Sequence, residues 1–129
     1  MQEETDVLIV SSRMDSRKKL LRALEGLPVS AFSVSTIAQA LEVLSLHPFA
    51  IIFCDECVSD GSYRELLAAV RGTSGTSRFI MMLGTGEWEE YLEALRLGIT
   101  DVLRSPLQTP DIDIALIHAM RHGRENQAA

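Results

Sequence analysis

Phe49-Ala-Ile-Ile-Phe-Cys-Asp55 is apolar at every position from Phe49 to Cys54 and then closes on a carboxylate. A strand packed on one face alternates apolar and polar residues, whereas one covered by helices on both faces reads as an unbroken apolar run. The stretch therefore predicts a central strand of a parallel sheet, with Asp55 at its carboxyl end. Working outward, shorter runs of the same kind fall at Val7–Val10, Val29–Val34, Phe79–Leu83 and Thr100–Leu103, spaced by about twenty to twenty-five residues.

Helical patterns fill the intervals. Ser12 with Asp15 three residues later reads as a capping box, and Leu20, Leu21 and Leu24 follow at helical spacing up to Gly26. Thr36 with Gln39 repeats the signal ahead of Ile37, Ala40, Leu41 and Leu44, which share one face before His47-Pro48 closes the helix. Ser62 with Glu65 opens a third helix through Leu66, Leu67 and Val70, and Arg71–Ser77 is small enough in its residues to be a mobile connection. A fourth helix is expected over Glu87–Leu97, stopped by Gly98. In the last, Thr109 is the cap and Pro110 the first helical residue, Ile112, Ala115, Leu116, Ala119 and Met120 face inward, and the chain frays after Gly123. Five strands alternating with five helices predict one α/β domain over residues 1–129, a (βα)5 doubly wound parallel sheet in three layers, with its core at about 6–122 and a flexible tail at 123–129.

Composition limits the function. The 129 residues are 47% hydrophobic and 23% charged, ordinary for a soluble globular protein, and long enough to bury a core without disulfides or structural metal. Twelve basic against eighteen acidic residues give a net charge of −6, which argues against direct nucleic-acid binding. The opening MQEETD is acidic and no apolar run reaches the roughly 20 residues of a membrane span, so the expectation is a cytoplasmic protein without membrane contact.

In doubly wound sheets the working site lies at the carboxyl ends of the strands. That selects Ser11 and Ser12, Asp55, Gly84 and Thr85, and Ser105. Around these positions the chain resembles the receiver domain of bacterial two-component response regulators over about residues 6–122. The resemblance is carried by Val7-Leu-Ile-Val, by Ile51-Ile-Phe-Cys-Asp55 with Ser59-Asp-Gly-Ser and Glu65-Leu-Leu, and by Tyr91-Leu-Glu-Ala-Leu-Arg-Leu-Gly-Ile-Thr-Asp-Val-Leu-Arg-Ser-Pro106. It implies a flavodoxin-like, CheY-like fold and a role in phosphorelay signal transduction.

In that family an acidic pair after the first strand and an aspartate after the third hold magnesium, which wants hard oxygen ligands at about 2.0 to 2.1 Å. The aspartate accepts a phosphoryl group, and a hydroxyl after the fourth strand and a lysine after the fifth bind its oxygens. Transferred onto this chain, the phosphoacceptor position is Asp55, and the hydroxyl position is Thr85, with Gly84 or Leu83 in its place if the loop shifts by a residue. The acidic pair is replaced by Ser11 and Ser12, and the lysine by Ser105, ahead of Pro106, the cis-proline candidate. Arg104 is a poor substitute for the lysine because adjacent strand residues face opposite ways. The aromatic-switch position is Val102.

Neutral hydroxyls cannot replace two carboxylates around a divalent cation, nor an ammonium group against phosphoryl oxygens, and each oxyanion donor lost costs on the order of 3 to 4 kcal/mol where this has been measured. The expectation is a degenerate, non-enzymatic receiver that needs no cofactor. It would act on a protein partner such as a histidine kinase or an output domain, or on a second copy, through the face of the fourth helix, fifth strand and fifth helix. The alternative is a working receiver phosphorylated on Asp55 with magnesium.

Other features have plainer readings. Asp15 is assigned to capping and Glu56 is expected to point away from Asp55, so neither rebuilds a cation site. Cys54-Asp-Glu-Cys57 has dithiol spacing, a distant redox alternative, but Cys54 belongs to a buried strand. His118 and His122 lie four apart on the last helix without a third ligand, Met81-Met82 read as core, and Trp88 suits either the core or an interface anchor.

Overall fold

The computed structural model describes residues 4–73, 77–84 and 88–128. Its elements in chain order are β1 (Thr5–Val10), α1 (Met14–Leu24), β2 (Val29–Val34), α2 (Ile37–Leu46), β3 (Ile51–Asp55), β4 (Cys57–Val58), β5 (Gly61–Ser62), α3 (Tyr63–Thr73), β6 (Arg78–Leu83), α4 (Trp88–Arg96), β7 (Asp101–Arg104) and α5 (Thr109–Ala128). The main sheet is parallel throughout in the order β2-β1-β3-β6-β7, which places β3 at its centre.

Alternation along the central strands divides the core in two. Ile51 and Phe53 of β3 join Val7 and Ile9 of β1 against Leu20 and Leu24 of α1 and Ile112, Ala115, Leu116 and Ala119 of α5. Ile52 and Cys54 join Leu8 and Val10 against Ile37 and Ala40 of α2, Leu66 and Val70 of α3, and Ala94 of α4. The doubly wound, flavodoxin-like fold thus follows from strands that are apolar on both faces. Met81 and Met82 are core, one on each side.

Local chemistry sets several boundaries. Thr36 caps α2, its hydroxyl accepting from the Gln39 amide at 3.0 Å. The Gln39 side chain closes back onto Ser35 rather than Thr36, accepting from its amide at 3.0 Å. Gly98, at φ +91, ends α4 in a Schellman arrangement, with its amide on the Leu95 carbonyl and the Ile99 amide on that of Ala94.

Two expectations are corrected, and two features go beyond what the sequence pattern indicated. Ser12 and Asp15 form no capping box: Arg13 is the N-cap of α1 and supplies no side-chain hydrogen bond, because Ser12 is drawn away to two other loops. Residues 71–73 continue α3 instead of opening a loop, and the rest of that stretch, 74–76, lies outside the described residues. Helix α5 continues through Gly123 to Ala128, since one glycine costs a helix only about 1 kcal/mol. The turn after β3 holds a small antiparallel hairpin, Cys57–Val58 on Gly61–Ser62, that apolar patterning did not reveal.

Candidate functional site at the carboxyl edge of the sheet

Strand register gathers the expected positions at one edge. Val10 pairs with Cys54, Asp55 with Met82 and Leu83 with Arg104, so Ser11, Asp55, Gly84 and Ser105 all emerge at the same end of the sheet. The ladder extends one residue further: the Ser11 amide donates to the Val34 carbonyl at 3.1 Å, and that of Ser105 to the Leu83 carbonyl at 3.0 Å.

Ser11 and Asp55 meet directly. The Ser11 hydroxyl is fully buried and donates to Asp55 Oδ2 at 2.6 Å, while accepting from the Arg13 amide at 3.1 Å. Asp55 is half-buried, and loss of water pushes its carboxyl above the ordinary value. The Ser11 hydrogen bond and the charges of Arg13 and Arg17 oppose that shift, and the charge of Asp15 adds to it. Arg17 is anchored here, donating from Nη1 to the Ser11 carbonyl at 2.6 Å. Arg13 and Arg17 were not among the residues singled out in the sequence.

Ser12 faces away from Asp55. Its hydroxyl donates to the Ser35 carbonyl at 3.0 Å and accepts from the Ser59 amide at 2.9 Å, tying three loops together. Asp60, in the turn of the hairpin, caps α2 from outside: Oδ1 accepts from the Ile37 amide at 2.7 Å and Oδ2 from the Ala38 amide at 3.0 Å. These two amides hold the Asp60 carboxyl below the usual range. No local motif signals such a cap, because donor and acceptor lie 22 and 23 residues apart.

The Ser105–Pro106 peptide bond is cis. Arg104 turns to the opposite face, its guanidinium 5.4 Å from the centre of the Tyr91 ring, and Val102 packs half-buried against the α2–α4 core. Thr85, the hydroxyl position, lies outside the described residues, as do the side chains of Trp88 and His122. Among the described residues no three histidine, cysteine or acidic side chains are grouped to hold a metal ion.

The cysteines do not form a reactive pair. Cys54 is fully buried and donates to the Asp55 carbonyl at 3.3 Å, and burial, with the Asp55 charge second, pushes its thiol up, away from the thiolate; Cys57 is exposed. His118 faces Asp101, Nδ1 to Oδ2 at 3.9 Å.

No protein-family model matches the chain. Among curated proteins it is similar to the acid tolerance regulatory protein ActR of Rhizobium meliloti (strain 1021), 28% identical over 114 residues that cover 88% of this chain and 59% of ActR. It is also similar to the photosynthetic apparatus regulatory protein RegA of Rhodovulum sulfidophilum, 24% identical over 89% of this chain and 63% of RegA. The chain thus spans about three fifths of the length of these relatives. Among solved structures it superimposes on the signal receiver domain of an HD domain-containing protein from Pseudomonas fluorescens Pf-5, with a TM-score of 0.89 at 19% identity, covering 99% and 95% of the two chains. A solution structure of the beryllofluoride-activated NtrC4 receiver domain dimer matches with a TM-score of 0.85 at 20% identity, covering 92% and 98%.

Proposed function

We propose that this chain, a response-regulator receiver in its fold and in its relatives, is a degenerate receiver that signals from the cytoplasm by protein contact, without magnesium-dependent phosphorylation of Asp55. The observation that carries the reading is the 2.6 Å hydrogen bond from buried Ser11 to Asp55. At the position where the family places a metal-binding carboxylate, a neutral donor occupies one oxygen of the surviving acid. The residues present do not fit magnesium: Asp55 supplies one anionic ligand, Ser11 is committed to it, and the Ser12 hydroxyl serves Ser35 and Ser59. With Ser105 at the lysine position, no ammonium group faces a transferred phosphoryl group from that strand.

The output surface is the face of α4, β7 and α5. There Ile114 and Ile117 of α5 are about half exposed, at 52% and 49%, Leu95 of α4 is exposed, and Arg104 of β7 stacks on Tyr91. Such apolar exposure on a folded domain suits a protein partner, an output domain or a second copy of the chain, as in the NtrC4 dimer.

NMR titration with magnesium and beryllofluoride tests the reading. The expected result is no saturable change at Asp55 or its neighbours, and stoichiometric binding would overturn it. The competing reading, phosphorylation of Asp55 by a histidine kinase, draws on the half-exposed carboxylate flanked by Arg13 and Arg17. It requires incorporation from a small-molecule phosphodonor that disappears in Asp55→Asn.

A further inference from the structure

The main sheet ends on β2, whose one neighbour is β1, so the other side of the strand is an open edge. The Thr5 amide donates to the Pro28 carbonyl and the Ser11 amide to the Val34 carbonyl. Pro28 and Val34 thus turn toward β1, and by the two-residue repeat of a strand so do Ser30 and Phe32. Ala31 and Ser33 turn their N–H and C=O groups outward, and no hydrogen bond among the described residues takes them. Natural sheets blunt such edges with lysine, proline or another charge. The strand Val29–Val34, VSAFSV, carries none of these.

The two faces beside this edge differ in chemistry. A hollow of about 510 Å³ runs along it, with Arg17 of α1 on one side and Gln39, Glu42 and Val43 of α2 on the other. The α2 side is apolar: Phe32 is 50% exposed and Leu46 81%, and both line a second hollow with Val43 and Phe49. Glu42 is the one charge of that helix. The α1 side is basic. Arg17 donates from Nη1 to the Ser11 carbonyl and makes no ion pair among the described residues, and exposed Lys18 follows it.

We propose that β2 receives, as an added strand, an extended segment of a partner protein in which apolar residues alternate with acidic ones. A strand laid on this edge places its alternate side chains on opposite faces of the sheet. Those on the α2 face meet Phe32, Val43 and Leu46, where Glu42 repels an acid, and those on the α1 face meet Arg17 and Lys18, which attract one. The outward backbone groups of Ala31 and Ser33 supply affinity, and the two unlike faces supply selectivity. A second copy of this chain fits less well, because pairing two β2 edges about a two-fold axis sets one basic α1 beside another. The inference goes beyond the reading of Asp55 and of the α4, β7 and α5 face, since neither takes part.

The test is amide hydrogen exchange by NMR on the whole chain, with a synthetic peptide of alternating valine and glutamate as the probe and one of alternating valine and lysine as its control. Expected is saturable binding of the glutamate peptide that slows exchange severalfold at Ala31 and Ser33, while Ser30, Phe32 and Val34, already turned to β1, are unchanged. Ala31→Pro removes an outward donor and spares the β1 ladder, so it should weaken binding about fivefold or more. Arg17→Glu should weaken binding of the glutamate peptide by a similar factor and strengthen that of the lysine peptide, whereas Ile114→Glu, on the α5 surface, should stay within about twofold. Equal binding of the two peptides, protection that spares Ala31 and Ser33, or indifference to both Ala31→Pro and Arg17→Glu overturns the inference. Protection of those two amides by the chain alone as its concentration rises assigns a second copy and overturns it as well. Because this measurement reads the β2 edge and the beryllofluoride titration reads Asp55, the two can fail separately.

Discussion

Asp55 is a carboxylate held by a hydroxyl in a place that removes part of its water. Burial raises its pKa against the ordinary 3.8, so the folded chain binds the proton more tightly than the unfolded chain does. The sign follows: stability falls as pH rises from the unfolded value through the folded one, and the full penalty is present at neutral pH. Asp55→Asn keeps an acceptor for Ser11 and removes the buried charge. It is expected to raise the Tm at pH 7 by about 2 °C, with the difference closing below about pH 4, as thermal melts across pH would register. That Asp55 ends a central strand was legible in its apolar run. Its contact with Ser11 was not, because the two are 44 residues apart and meet only through the β1–β3 register.

At the level of elements, the helix ends show how far local signals reach. Gly98 was readable as a stop, and the structure gives the reason: φ is +91, and a Cβ there would come within 2.7 Å of Arg71 Nη2, whose guanidinium donates to the Gly98 carbonyl. Gly98→Ala combines backbone strain with the displacement of Arg71, and a loss of about 1 to 2 kcal/mol is expected by urea denaturation. The Thr36 cap was equally readable, and Thr36→Ala should cost about 1 kcal/mol in the same measurement. The Ser12 signal misled. A serine before a helix can serve the first turn or a neighbouring loop, and here the Ser59 amide and the Ser35 carbonyl, both distant in sequence, take its hydroxyl.

Across the whole molecule, the doubly wound sheet brings Asp55 to one edge together with the neutral side chains of Ser11 and Ser105. If the residues and not the scaffold limit the chemistry, Ser11→Asp, Ser12→Asp and Ser105→Lys together should restore a metal response. The triple variant is expected to be less stable than the wild type without metal, since a second carboxylate then sits buried against Asp55. Magnesium should raise its Tm and permit beryllofluoride binding, while leaving the wild-type Tm unchanged. No helix among the described residues is long and apolar enough to cross a membrane, in keeping with the charge and hydropathy of the sequence.

Hydrophobic periodicity and strand–helix alternation by themselves determined the doubly wound sheet, its two-sided core and the edge at which Asp55, Ser11 and Ser105 emerge, because burial on both faces demands that pattern of any chain. Only the tertiary structure decided which hydroxyl serves which carboxylate, that α2 is capped by Asp60, and that Arg17 and Glu42 flank the open edge of β2. Those contacts join segments brought together by sheet register and loop closure, and a hydrogen bond between distant segments leaves no periodic trace in the residues that make it.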